Sequence, residues 1–160
     1  MAGEDTGGTP AQIPIDDIDK AIIRLLQVDG RMAYAQLGPK VGLSSAAARQ
    51  RVQRLIENGV IEIVAVSQPL KLGFNVEAMV GIRVNGDVRA IAAALAEIEE
   101  IVYVVVASGQ FDLVVEVVCR DARQLLAIVN DAIRTMPGVT STETLTYLYI
   151  EKVKYSWGTG

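Results

Sequence analysis

Three arginines and two glutamines crowd one short segment. Arg49, Gln50, Arg51, Gln53 and Arg54 lie within GLSSAAARQRVQRLIENGV, residues 42–60. Their chemistry is recognition, not bond-making. A guanidinium pairs bidentately with a guanine edge or a phosphate, and a carboxamide pairs with adenine. The segment sits in a wider acid-free window. From Gly30 to Ile56 the chain carries Arg31, Lys40, Arg49, Arg51 and Arg54 and no acid, a local charge of +5. Yet the 160-residue chain has a net charge of −4, and all of it arises after residue 73. A basic window in an otherwise neutral half is the footprint of a polyanion-binding face. The plainer alternative is a solvated helix face.

Other chemistry lacks its equipment. The chain has no histidine, which removes Ser-His-Asp and Cys-His catalysis and the usual histidine-containing metal sites. Neither G-x-G-x-x-G nor G-x-x-x-x-G-K-[ST] occurs. The single cysteine, Cys119, ends the apolar run LVVEVVC and reads as a small buried hydrophobe. No enzyme, metal site or bound cofactor is expected. A lone cysteine, the absence of a signal-like N-terminus and apolar runs too short to span a bilayer point to a cytoplasmic protein without a membrane partner.

The elements that must position the basic segment come next. IDDIDKAIIRLLQVDG predicts a first helix, with Asp16 and Asp17 as N-cap candidates and Ile18, Ile22, Leu25 and Leu26 at helical spacing. YAQLGPKVG predicts a second helix, shortened or kinked by Gly38-Pro39. Gly42-Leu43 makes a turn, Ser44 caps the third helix, and Asn58-Gly59 ends it. With Val52 at the centre of the buried face and about 100° per residue, Ala47, Gln50 and Arg54 point outward. Ala46, Arg51 and Gln53 lie on the flanks, and Arg49 snorkels along the core border. Ala48, Val52, Leu55 and Ile56 form the apolar stripe. VIEIVAVSQPLKLG reads as two short strands, or as one strand and an extended link. Three helices with a tight turn before the third, followed by a β ribbon, make a winged helix-turn-helix. The alternative is a small helical bundle with no ligand. The expected DNA-binding set is Ser44, Ser45, Ala46, Ala47, Arg49, Gln50, Arg51, Gln53 and Arg54, with Gln50 reading bases and Arg54 holding phosphate.

From Phe74 the pattern becomes strand, helix capped by Asp87, two strands around Ser108-Gly109-Gln110-Phe111, helix capped by Asp121, and a long last strand over VTSTETLTYLYIEKVKYSW. This βαββαβ order is the ferredoxin-like, split-βαβ arrangement. Two helices cover one face of a four-stranded sheet, yet IVYVVVA is apolar at both parities and LVVEVVC nearly so. A sheet with two apolar faces needs a partner, so a homodimer through the sheets is expected, matched to a two-fold symmetric operator in double-stranded DNA. The alternative is a cover supplied by the linker or the last strand. The fold class is therefore α+β. The expected boundaries are a disordered tail over 1–14, the winged helix-turn-helix over 15–62, a linker strand over 63–74 and a ferredoxin-like effector-binding and oligomerisation domain over 75–160.

Taken in order, these segments resemble the Lrp/AsnC (leucine-responsive/asparagine-type, feast/famine) transcription regulators. The resemblance runs over roughly residues 15–154. It is carried by IDDIDKAIIRLLQVDGR, by YAQLGPKVGLSSAAARQRVQRLIENGVI, by SGQFDLVVEV with its G-x-x-D loop (Gly109, Asp112), and by PGVTSTETLTYL with Val139, Thr142 and Thr144. It implies dimers that assemble further into tetramers or octamers, and a small-molecule effector, usually an amino acid. It assigns that effector to Ser108, Gly109, Gln110 and Asp112, with Thr142 and Thr144 nearby. On the residues alone, Asp112 is equally a cap on the turn before its strand. A ligand-responsive regulator is the leading expectation. A ligand-independent architectural DNA-binding protein and a metabolite-binding subunit acting on an enzyme are the alternatives.

Overall fold

The computed structural model describes residues 13–153. The tail expected over residues 1–14 lies outside them up to residue 12, as does any continuation of the last strand beyond Val153. The chain divides into two compact units between Ala65 and Val66.

The first unit is three helices, α1 (Asp17–Val28), α2 (Tyr34–Lys40) and α3 (Ser45–Glu57). Asp16 caps α1 in a capping box: its carboxylate accepts from the Asp19 N–H at 2.8 Å, and the Asp19 carboxylate accepts from the Asp16 N–H at 3.2 Å. Ser44 caps α3, its Oγ accepting from the Ala47 N–H at 3.2 Å. Ile22, Ile23, Leu37, Ala48, Val52 and Leu55 form the buried core. Gly38-Pro39 does not stop α2; both residues lie inside it. Gly38 is there because the turn into α3 passes directly over it. A Cβ at Gly38 would come within 2.7 Å of the Leu43 carbonyl oxygen.

The β ribbon expected after α3 does not form. Among the described residues, 61–68 have no strand partner, and they run into a 3₁₀ turn, Pro69–Leu72. A wing needs a paired second strand, and an isolated two-stranded ribbon is marginal. Here Pro69 opens the 3₁₀ turn where that second strand would have to pair. The linker over 63–74 is accordingly extended backbone plus a turn, not a strand.

The second unit contains β1 (Val76–Val84), α4 (Val88–Ala96), β2 (Ile101–Val106), β3 (Leu113–Cys119), α5 (Ala122–Ala127) and β4 (Val139–Thr146). The sheet is antiparallel in the order β2-β3-β1-β4. That is the ferredoxin-like order, reached because each helix carries the chain across to a non-adjacent strand. Asp87 and Asp121 cap α4 and α5. The second expected helix is only partly α-helical: after Ala127 it widens into a π-helical turn over Ile128–Ile133. In an α-helix Ile128 and Ile133 would lie about 140° apart. The i→i+5 pattern, seen in the Arg134 N–H to Val129 carbonyl bond of 2.9 Å, lets Ile128, Val129 and Ile133 all be buried. The last strand ends at Thr146, shorter than its sequence suggests, because residues 148–150 have no partner strand among the described residues. Among the described residues no helix is long and apolar enough to cross a membrane.

The two faces of the sheet differ more than strand parity suggests. Ala78, Val80, Ile82, Leu113, Val115, Val117 and Cys119 are buried on the helix side. Opposite, Glu77, Met79, Val114, Glu116 and Val118 are half-buried. Two side chains partly cover them. The Phe111 ring lies on Gly81, so close that a Cβ there would meet ring carbons at 2.6 Å. The Tyr147 hydroxyl donates to Glu116 at 2.5 Å.

Both glycine contacts can be tested by denaturant unfolding. Gly38→Ala meets main-chain oxygen and is expected to cost about 2–3 kcal/mol. Gly81→Ala meets a side chain, so pairing it with Phe111→Leu is expected to restore part of a loss of about 1–2 kcal/mol.

Candidate functional site

The face that α3 presents depends on how its buried stripe is turned. Ala48, Val52 and Leu55 are buried, but Ile56 is 41% exposed. The centre of the stripe therefore lies between Ala48, Val52 and Leu55, about 30° from Val52 itself. That rotation reverses two assignments. Arg51 moves toward the core border, and Arg49, expected there, is exposed. Ala47, expected to point outward, is half-buried.

Arg51 and Arg54 are then spent within the fold. Among the described residues Asp19 is the one buried charged residue, its side chain 1% exposed. Arg51 Nη1 donates to Asp19 Oδ1 at 3.0 Å and to Asp16 Oδ2 at 2.6 Å. Arg54 Nη2 donates to Asp19 Oδ2 at 2.5 Å. A carboxylate buried in a helical core is costly unless paired and hydrogen-bonded. Asp19 has both guanidinium partners and the Asp16 N–H. The Arg51 hydrogen bond holds the Asp16 carboxyl below the ordinary carboxylate range, and Asp16 and then Asp19 push the Arg51 guanidinium up. The window counted as +5 is thus partly neutralised through space by two acids from α1. Arg54, expected as the phosphate contact, directs its guanidinium to Asp19 while its side chain stays 44% exposed.

What remains outward is a ridge of Gln50 and Gln53 between two shallow grooves. One groove is lined by Tyr34, Ser45, Ala46, Arg49, Gln50 and Gln53, the other by Gln50, Arg51, Gln53, Arg54 and Glu57. Ser44 stands at the start of the ridge as the cap. Among the described residues the Arg49 guanidinium has no ion-pair partner. Tyr34 was missed in the sequence. Its signal was an aromatic ring with a polar tip at the start of α2, where it packs on the core and edges the first groove.

The residues assigned to an effector divide differently. Ser108, Gly109 and Gln110 are exposed in the β2–β3 loop. Asp112 is a structural tie: its Oδ2 accepts from the Val84 N–H at 2.9 Å, its N–H donates to the Ile82 carbonyl at 3.0 Å, and its carbonyl accepts from the Ala107 N–H at 2.9 Å. Thr142 and Thr144 of β4 pair with Ile82 and Val80 of β1. Ile82 also pairs with Leu113, so the loop and Thr142 share one end of the sheet with β1 between them. Two strand spacings, roughly 10 Å, separate β3 from β4. Cys119 is buried, and desolvation followed by the charges of Glu100 and Asp121 pushes its thiol up, away from nucleophile chemistry.

Comparison with known proteins supplies the context. Residues 15–56 match the AsnC-type helix-turn-helix domain, and residues 77–156 match the Lrp/AsnC ligand binding domain. The chain is 34% identical to the HTH-type transcriptional regulator FL11 of Pyrococcus furiosus, over 86% of this chain and 92% of that one. It is 28% identical to the regulatory protein AsnC of Escherichia coli, over 84% and 90%. The solved structure of E. coli AsnC superposes with a TM-score of 0.80 at 27% identity, covering 88% of this chain and 97% of that one. A feast or famine regulatory protein from M. tuberculosis, complexed with L-methionine, superposes with a TM-score of 0.83 at 29% identity, over 91% and 99%.

Replacing Asp19 by Ala strands the Arg54 guanidinium, 44% exposed, and leaves Arg51, 28% exposed, with Asp16 alone. The expected loss of stability is about 2–3 kcal/mol, below the full cost of breaking a buried pair because solvent reaches both arginines. The Asp16 pair adds a pH signature. Its folded carboxyl titrates below the unfolded one, so its contribution is fully present above the ordinary carboxylate range and is lost as pH falls through the folded value. Asp16→Asn is expected to flatten the acid limb of a stability–pH curve while leaving its neutral slope unchanged.

Proposed function

The chain belongs to the Lrp/AsnC family of transcriptional regulators, and on that premise we propose how it reads DNA, assembles and senses. The α3 ridge enters the major groove, with Gln50 on a base edge, Arg49 on a guanine or a phosphate, and Ser44, Ser45, Ala46 and Gln53 along the groove floor and walls. One observation carries this reading. The exposed side of α3 from Ser45 to Gln53 bears no acid, and Arg49, unlike Arg51 and Arg54, has no ion-pair partner among the described residues. Arg51 and Arg54 serve DNA binding indirectly, by fixing the rotation of α3.

The working form is a homodimer joined through the open sheet faces. Tyr103 and Leu145 stand exposed there beside half-buried Met79, Val105 and Val114. Apolar side chains on a single surface favour burial against a second copy. Two recognition helices then meet a two-fold symmetric operator, and higher assembly to tetramers or octamers follows from further contacts between dimers. The effector is an amino acid, in keeping with the L-methionine bound by the M. tuberculosis relative. The Gly109 loop and Thr142 are its candidate contacts, and Asp112 holds the loop's base. The site of action is the cytoplasm. A ligand-independent architectural role is the second reading, favoured by the structural use of Asp112.

Mobility shifts over a salt series test the DNA face. Arg49→Ala is expected to weaken binding on all sequences and reduce the salt slope by about one. Gln50→Ala is expected to relax preference at one base pair by about 1–3 kcal/mol. Unchanged binding in both variants would place the interface elsewhere. Light scattering that returned a monomer at micromolar concentration would remove the sheet-to-sheet dimer.

A further inference from the structure

The two grooves beside the α3 ridge are not equivalent. One holds Arg51, Arg54 and Glu57, and its two guanidinium groups already face Asp16 and Asp19. Two cations beside three carboxylates leave that side slightly acidic. The other groove holds Arg49 and no acid. Tyr34 lines it from α2, and the other lining residues belong to α3. The sequence carries no acid from Gly30 to Ile56, so α2 and the turn into α3 add none. A polyanion laid across the ridge is therefore held more closely on the Tyr34 side.

Tyr34 is fixed at its ring and open at its tip. It is half-buried and packs against the apolar core of the three-helix unit. Among the described residues its hydroxyl has no hydrogen-bond partner, and it is not buried. A phenol whose ring is already ordered offers a donor at little further cost in entropy. Its place relative to α3 is fixed as well. Gly38 lets the Leu43-Ser44 backbone pass directly over α2, and the Leu43 N–H donates to the Gly38 carbonyl at 2.9 Å. In helix-turn-helix docking the helix before the reader crosses the phosphate backbone while the reader lies in the groove. Here that helix is α2, and Tyr34 is its first residue.

We propose that Tyr34 is a DNA-binding residue, its hydroxyl donating to a phosphate oxygen of the strand that follows the Arg49 side of α3. The proposal rests on the α3 reading above and adds a contact from a second helix. Tyr34 and Arg49 grip the same strand but differ in kind. Arg49 neutralises a phosphate and releases counterions, and the neutral phenol does not. Arg49 contributes charge; Tyr34 contributes position, by holding α3 at one depth and tilt while Gln50 meets its base.

Mobility shifts test this with wild type, Tyr34→Phe and Arg49→Ala on a duplex that the wild type selects from a random pool. Tyr34→Phe keeps the ring and its packing, so its urea midpoint is expected to match the wild type. Its affinity is expected to fall about tenfold on the selected duplex and on a scrambled one alike. Its salt slope is expected to stay unchanged, whereas Arg49→Ala lowers the slope. Duplexes carrying a single neutral methylphosphonate, moved along each strand, then locate the contact. One position per half-site is expected to weaken the wild type about tenfold more than it weakens Tyr34→Phe. A purely structural role for the ring does not produce that coupling. Full affinity in Tyr34→Phe beside a weakened Arg49→Ala overturns the tyrosine contact and leaves the α3 reading intact. Full affinity in both variants removes the α3 reading and this contact together. A loss in Tyr34→Phe that couples to no methylphosphonate position also overturns the contact.

Discussion

The reader unit is organised by one buried carboxylate. Asp19 lies in the first turn of α1, where a negative charge is favoured by the helix end and by the capping box with Asp16. Its other oxygen contacts are made by Arg51 and Arg54 from α3. This pairing fixes two things at once. It ties α3 to α1 by charge, where the apolar core alone would leave rotation to packing. It also selects which α3 side chains are spent and which are presented. A helix bearing three arginines could offer any of them to a polyanion; turned by Asp19, it offers Arg49 with Gln50 and Gln53. The net worth of such a pair is small compared with an apolar contact of the same size. Its value here lies in orientation.

The second unit solves a different problem. Two helices bury one face of the sheet, and the other face must be made tolerable. Phe111 and Tyr147 cover part of it, one packed on Gly81 and the other hydrogen-bonded to Glu116. Burial comes first, and the Glu116 hydrogen bond second, in pushing the Tyr147 phenol well above its ordinary range, so it remains a donor at any physiological pH. Tyr103 and Leu145 stay outside this cover. Asp112 closes the same end of the sheet by tying the base of the loop to Val84. The turn-capping use of Asp112, one of two readings open from sequence, is therefore occupied in the fold. That leaves Ser108, Gly109 and Gln110 as the loop's exposed groups.

Much of this was legible in the residues. The βαββαβ order, the Asp87 and Asp121 caps, the Ser44 cap and the two cores follow from periodicity and capping chemistry, which are local. The misses are all non-local. Local charge counting left Arg51 and Arg54 unpaired because their partner lies more than thirty residues away in α1. The angular error on α3 came from treating Ile56 as core, and only packing against α1 and α2 shows that it is not. The short second helix expected from Gly38-Pro39 is found, but propensity sees no neighbour and gives no reason for the glycine. The reason for Gly38 is the Leu43 carbonyl passing over it. The ribbon failed for the same cause in reverse: IEIVAV has strand character, but no second strand among the described residues pairs with it.

The placement of candidate ligand groups bears on how sensing can reach DNA. A ligand shifts an equilibrium only by its difference in affinity between two states. Groups on the Gly109 loop and β4 sit on elements locked by the sheet ladder, so a ligand there acts most directly on whatever packs against that edge. Coupling through assembly changes with protein concentration, and coupling within one chain does not.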